Sequence, residues 1–187
     1  MRKITATFFM GLDGVVADPA SWNGAYWSDE MGAALGAGMA TSDTFLYGRR
    51  TYDDMAAAWP ERETLGDDAG DDAPFATIMG DTRKVVVSHQ DLTFTWRNSE
   101  QLQGDLIEGV TALKHEDGAD IAMAGSTSVV RQLLAAGLVD ELNLLVHPVA
   151  VRHGERLFDE GDEAIPLTLT RSTTLPHGVV HLVYAPA

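Results

Sequence analysis

Two short segments of this chain are apolar without alternation: Lys84-Val85-Val86-Val87-Ser88 and Ile121-Ala122-Met123-Ala124. A strand with one face in water alternates apolar and polar residues, so a strand without alternation needs cover on both faces. Helical patterns that can supply the cover stand nearby. Tyr52, Met55, Ala56 and Trp59 recur at i, i+3, i+4 and i+7 in a helix expected to stop at Pro60. Asp105-x-x-Glu108 is a capping box opening a helix that carries Leu106, Val110 and Leu113 on one face. Val129, Val130, Leu133 and Leu134 define another, ended by Gly137.

The remaining pattern fills in around these. Ile4 to Phe9 is a β-branched and aromatic strand closed by the turn Gly11-Leu12-Asp13-Gly14. Val15 to Trp27 is a loop with Pro19, Gly24 and the aromatics Trp22, Tyr26 and Trp27. Ser28-Asp29-Glu30 starts a helix that reaches Met39, with Asp29 and Glu30 as cap and dipole partners. Gly32, Gly36 and Gly38 weaken it by up to about 1 kcal/mol each. Thr44 to Tyr47 is a strand closed by Gly48, and Gly66 to Asp72 an acidic surface loop. Asp140–Val149, Ile165–Thr174 and Val179–Tyr184 read as strands with no helix between them. Strand–helix alternation followed by a run of strands predicts an α/β domain, a mixed sheet with helices on its faces.

The chain has 187 residues, 13 Lys and Arg against 28 Asp and Glu, a net charge of −15, and no cysteine. At this length one domain over residues 1–187 is expected. The missing cysteines exclude disulfides, thiolate nucleophiles, zinc ribbons and iron–sulfur clusters. The acidity argues against nucleic acid and anionic lipid as partners. No apolar run approaches the roughly 18 residues of a membrane span, and Met1-Arg2-Lys3-Ile4 starts no signal peptide, so a cytoplasmic protein is expected. His177 and His181, read as lying on one strand, would be roughly 13 Å apart, too far to share an ion, and no metal site is expected.

Two strand-to-helix junctions carry the chemistry. Gly48-Arg49-Arg50-Thr51 sets two cations at a helix N-terminus, where the dipole favours anions. Orphan N–H groups, a hydroxyl and two guanidinium groups there suit a phosphate; the alternative is a surface Arg pair bridged to Asp53 and Asp54. Gly125-Ser126-Thr127-Ser128 combines a glycine that admits close approach with a hydroxyl-rich helix start, suited to a pyrophosphate or simply to N-capping by Ser126 or Thr127. Neither junction is G-x-G-x-x-G or a P-loop.

These junctions, with Gly11-Leu12-Asp13-Gly14, Trp59-Pro60, Lys84 to Ser88, Gly137 to Leu142 and Pro148 to Phe158, resemble the dihydrofolate-reductase-like superfamily. Within it the chain is similar, over almost its whole length, to the C-terminal reductase domain of the bifunctional deaminase-reductase of bacterial riboflavin biosynthesis. The resemblance implies a three-layer sandwich around a mixed, mostly parallel sheet, NADPH as hydride donor, a small-molecule substrate and a homodimer. It implies that Gly48, Arg49, Arg50 and Thr51 hold the adenosine-side phosphates, with an Arg on the 2′-phosphate, and that Ser88 contacts that phosphate or the adenine. Gly125, Ser126, Thr127 and Ser128 become the pyrophosphate loop, Asp13 the catalytic aspartate near nicotinamide and substrate, and Trp22, Tyr26 and Trp27 the substrate side. Ala124-Gly125 stands where the family often has Gly-Gly, and Val151 to Arg156 replaces a glycine-rich stretch. The expected activity is reduction of 5-amino-6-(5-phosphoribosylamino)uracil or a related heterocycle. A folate or pterin reductase and a non-catalytic NADPH-binding protein are the alternatives, and any deaminase lies on another chain.

Overall fold

The computed structural model describes residues 1–66, 68, 70, 73–158 and 164–187. The strands are β1 (Ile4–Gly11), β2 (Ser42–Gly48), β3 (Arg83–Val87), β4 (Ser99–Gln101), β5 (Asp120–Met123), β6 (Glu141–His147), β7 (Leu167–Thr174) and β8 (Val180–Pro186). The helices are α1 (Asp29–Ala40), α2 (Arg49–Leu65), α3 (Ala73–Asp81), α4 (Leu106–His115) and α5 (Thr127–Ala135). The strands form one sheet in the order β4-β3-β2-β5-β1-β6-β8-β7. Pairs from β4 to β6 are parallel; β8 runs antiparallel to β6 and to β7.

Alternation along each inner strand sorts the side chains into two buried layers. On one face Val110 and Leu113 of α4 and Val129, Val130, Leu133 and Leu134 of α5 pack on Ile4, Ala6, Phe8, Leu46, Val85 and Ile121. On the other, Phe45, Tyr47 and Val86 meet Tyr52 of α2 and Met79 of α3, while Met31 of α1 packs with Leu145 and Phe9. The molecule is therefore a three-layer α/β sandwich with a mixed, mostly parallel sheet, as expected. Among the described residues no helix is long and apolar enough to cross a membrane.

Two expectations need correction, and two elements had no sequence signal. Helix α2 does not stop at Pro60 but continues to Leu65. Proline removes one N–H from the helix ladder; here the last turn is held from outside, because Arg97 pairs with both Glu63 on α2 and Asp81 on α3. Helix α3 and strand β4 carried no periodic signal: Ala76, Met79 and Gly80 are buried in α3, and β4 is the polar triplet Ser99-Glu100-Gln101 at the sheet edge. His177 lies in a turn (Pro176–Gly178) before β8, with φ +60°, not on a strand; His181 is buried on β8, its Nε2 2.7 Å from Asn143 Oδ1. The acidic Gly66–Asp72 stretch lies mostly outside the described residues.

The N-terminal edge of the sheet holds buried cations, each partnered. Arg2 donates to Ala119 O and Thr44 Oγ1, and Lys114 to Leu138 O with Asp140 beside it. Lys84 is fully buried; its Nζ donates to Gly80 O (3.0 Å) and Thr82 O (2.6 Å) at the end of α3 and sits 4.3 Å from the Trp96 ring centre. Burial lowers its pKa from 10.5 to about 8. Below about pH 8 the ammonium is charged in both folded and unfolded chains, and its burial cost is fully present. Between about 8 and 10.5 the unfolded chain binds the extra proton, so this residue's contribution to stability improves as pH rises. Urea midpoints across that window are expected to show this component in the native protein and lose it in Lys84→Met.

Candidate functional site

The C-terminal ends of β2, β5, β1 and β6 lie side by side along the opposite edge of the sheet. At β2 the strand runs into α2 without a loop: Gly48 is the last strand residue and the helix N-cap. A Cβ on Gly48 would lie 2.2 Å from Ser126 Oγ and 2.8 Å from Ser126 Cβ, so only glycine lets the β2–α2 junction close on the β5–α5 junction. Across that contact Thr51 Oγ1 and Ser126 Oγ are 2.9 Å apart. Gly125 has φ +113°, and a Cβ there would stand 3.0 Å from Thr51 Oγ1; the Gly125–Ser126 peptide is cis. The two junctions that the sequence singled out thus form one surface.

The helix starts at this surface differ from those elsewhere. Ser28 caps α1 by accepting from Met31 N, and Asp105 caps α4 by accepting from Ile107 N and Glu108 N. Neither Gly48 nor Ser126 makes a side-chain capping bond. Capping by Ser126, one of the two readings of that segment, is absent because its hydroxyl faces Thr51. Two helix N-termini are left open to an outside acceptor, and such termini favour anions. Thr127 is buried and Ser128 exposed in the first turn of α5.

Arg49 and Arg50 part company. Arg49 donates to Gln90 and lies 3.6 Å from Asp53, so for it the surface-bridge reading holds. Arg50 is exposed and has no hydrogen bond or ion pair among the described residues. Ser88, just beyond β3, donates to Gln90 O (2.9 Å) and accepts from Gln90 N (3.0 Å), forming the turn that carries Gln90 to Arg49.

The ends of β1 and β6 make the second half of the edge, with Gly11 opposite His147. Asp13 accepts from Arg152 N (2.7 Å) and Val151 N (3.3 Å), and its carbonyl accepts from Arg156 Nε (2.9 Å). The Arg152 N–H, above all, holds the Asp13 carboxyl below its ordinary range. Asp13 therefore stands as an ionised tie between the turn after β1 and the segment Val151–Arg156. Trp22, just after the 3-10 turn Pro19–Ser21, and Tyr26, at the end of the 3-10 turn Gly24–Tyr26, approach the His147 ring edge-on at 5.3 and 5.6 Å, whereas Trp27 is 48% exposed and apart from that group.

His147 escaped the sequence reading. Its signal was a histidine closing the apolar strand Leu144-Leu145-Val146 just before Pro148, at the strand end where ligands of parallel sheets bind. It is fully buried; its Nδ1 lies 2.7 Å from Leu145 O, and its Nε2 has no partner among the described residues.

Sheet order, covering helices and the paired open helix starts define a dihydrofolate-reductase-like α/β sandwich. Dihydrofolate reductase from Enterococcus faecalis, solved with NADP(H), matches at TM-score 0.63 and 14% identity over 98% of this chain and 96% of that one. A family model described as the RibD C-terminal domain matches residues 2–181, and the chain belongs to that family. A putative riboflavin biosynthesis protein from Shewanella sp. PV-4 matches at TM-score 0.74 and 17% identity, covering 99% of both chains. A diaminohydroxyphosphoribosylaminopyrimidine deaminase/5-amino-6-(5-phosphoribosylamino)uracil reductase from Thermotoga maritima matches at TM-score 0.68 and 12% identity over all of this chain and 57% of that one. In sequence, the uncharacterized protein YyaP of Bacillus subtilis (strain 168) is 29% identical over 142 residues, 76% of this chain and 73% of its own length.

Proposed function

We propose that the chain is an oxidoreductase that uses NADPH to reduce a small nitrogen heterocycle, a phosphoribosylamino-pyrimidine of the type named for the Thermotoga maritima neighbour. The observation that carries the reading is the pair of adjoining helix N-termini without side-chain caps, next to an Arg50 that has no partner among the described residues. In a chain of net charge −15, that is a local cationic entrance for a phosphorylated ligand. The residues fit the group: the clearance at Gly48 brings both helix starts to one place, and their free N–H groups suit phosphate oxygens.

In this reading Gly125, Ser126, Thr127 and Ser128 hold the pyrophosphate, and Gly48, Arg49 and Thr51 the adenosine-side phosphate. Arg50 takes the 2′-phosphate, and Ser88 shapes the neighbouring turn. When bound, NADPH supplies a hydride to the heterocycle. The chain's own groups bind, orient and exclude water. Trp22, Tyr26 and Trp27 give aromatic faces and edges to a flat substrate. Asp13, ionised and engaged by two backbone N–H groups, fixes the Val151–Arg156 segment beside the substrate and leaves proton delivery to water or the substrate itself.

Saturable change in the fluorescence of the four tryptophans on adding NADPH is the expected first result. Loss of reduced-nicotinamide absorbance on adding 5-amino-6-(5-phosphoribosylamino)uracil is the second. Binding without oxidation makes this a cofactor-binding protein without that turnover; no binding removes the reading.

A further inference from the structure

The described residues contain few buried polar atoms without a partner, and one of them stands on the ligand edge of the sheet. His147 Nε2 is enclosed at the C-terminal end of β6, directly across from Gly11 and two residues from the Asp13 turn. Its other nitrogen settles the tautomer. Nδ1, 2.7 Å from Leu145 O, must carry the hydrogen, because a carbonyl can only accept. Burial lowers the pKa, offset in part by the carbonyls of Leu145 and Met10, so the ring is neutral at neutral pH. Nε2 is then a lone-pair acceptor, the opposite of a proton donor, and nothing among the described residues donates to it.

A buried acceptor without a donor is destabilising, because the water it gave up on folding is not replaced. A phenylalanine would fill the same space without that cost, and the neighbours would receive it: Phe9, Trp22 and Tyr26 all meet the imidazole edge to face. The cover over the ring is lightly fastened. Trp22 and Tyr26 stand in or beside the turns Pro19–Ser21 and Gly24–Tyr26, which have no buried residue and no side-chain cap. The turn into the first of them places Asp18 at φ +43°, in the left-handed region. Trp22 is held only from within the same segment, its Nε1 donating to Ala17 O and its backbone N–H to Pro19 O.

We infer that His147 is a substrate-recognition residue: Nε2 accepts a hydrogen bond from an N–H or O–H group of the heterocycle when the Trp22–Tyr26 segment shifts to admit it. This deepens the reductase reading and rests on it for the location of the substrate. The ligand chemistry follows from the tautomer. A neutral acceptor flanked by aromatic rings selects a flat ring bearing N–H donors, as in an aminopyrimidine or a lactam, and discriminates against the same ring alkylated on nitrogen.

The test uses the NADP-loaded full-length protein with nitrogen-15-labelled histidine and 5,6-diaminouracil as the probe. On saturation, followed by tryptophan fluorescence, the His147 Nε2 resonance is expected to move upfield, as a lone-pair nitrogen does on accepting a hydrogen bond. His147→Phe is expected to weaken the pyrimidine about 10-fold or more, leave NADPH affinity unchanged and match or exceed native thermal stability. His147→Gln, which can place an amide oxygen near Nε2, is expected to recover affinity to within about threefold. An unmoved Nε2 at saturation, unchanged pyrimidine affinity in His147→Phe, or no pyrimidine binding overturns the inference. A moved Nε2 without NADPH oxidation by the phosphoribosylamino-pyrimidine instead overturns the reductase reading and leaves the contact standing.

Discussion

Arg50→Ala is expected to weaken NADPH about 10- to 100-fold while leaving NADH within about twofold. The difference between the two ligands is one phosphate, and Arg50 is the guanidinium at the start of α2 with no other acceptor among the described residues. Arg49, tied to Gln90 and Asp53, is expected to show a smaller and less selective loss when changed to alanine. Isothermal titration of both proteins with both dinucleotides measures the ratio. Equal losses for NADPH and NADH in Arg50→Ala would remove the 2′-phosphate assignment. The contrast should also shrink at high salt, since the group is exposed and the interaction screened.

Gly48→Ala tests the site's architecture rather than its charge. The added carbon would stand 2.2 Å from Ser126 Oγ and 3.2 Å from Val129 Cγ2, which forces the two junctions apart. Overpacking of this kind costs about 1–3 kcal/mol. Thermal denaturation should register that cost, and NADPH affinity should fall by at least about 10-fold, because the two helix starts no longer converge. Gly48→Ala combined with Ser126→Gly removes both Ser126 clashes and is expected to recover most of the stability. Wild-type NADPH affinity in the single variant would show that convergence of the two starts is irrelevant to binding.

The parts of the fold legible in the sequence were those whose signal is local. Val85–Val87 and Ile121–Met123 read as inner strands because burial on both faces leaves no room for a polar residue. Helix α2 overran Pro60 because its last turn answers to Arg97, a residue distant in sequence that also reaches α3. Strand β4 exists through pairing with β3, as in Lys84 opposite Ser99, and three polar residues announce nothing of it. The site divides in the same way. Gly48–Thr51 and Gly125–Ser128 were visible as junctions, but their meeting depends on β2 and β5 being neighbours, which is a property of strand order. Nothing in the sequence told Arg49 from Arg50, since only Gln90 and Asp53 distinguish them. His147 was hidden because its surroundings come from Phe9, Trp22 and Tyr26, residues more than a hundred positions away.

Strand β5 enters the sheet between β2 and β1, pairing Ile121 with Ile4 across most of the chain's length. Contacts so remote in sequence form slowly, because a long loop must close before any energy is gained. The β2–α2 start can assemble early with its neighbour β3, but Ser126 reaches Gly48 only once the central strand is seated. Competence to bind a ligand at both starts is therefore among the last properties a refolding molecule acquires, and a dinucleotide added during refolding would report the seating of β5.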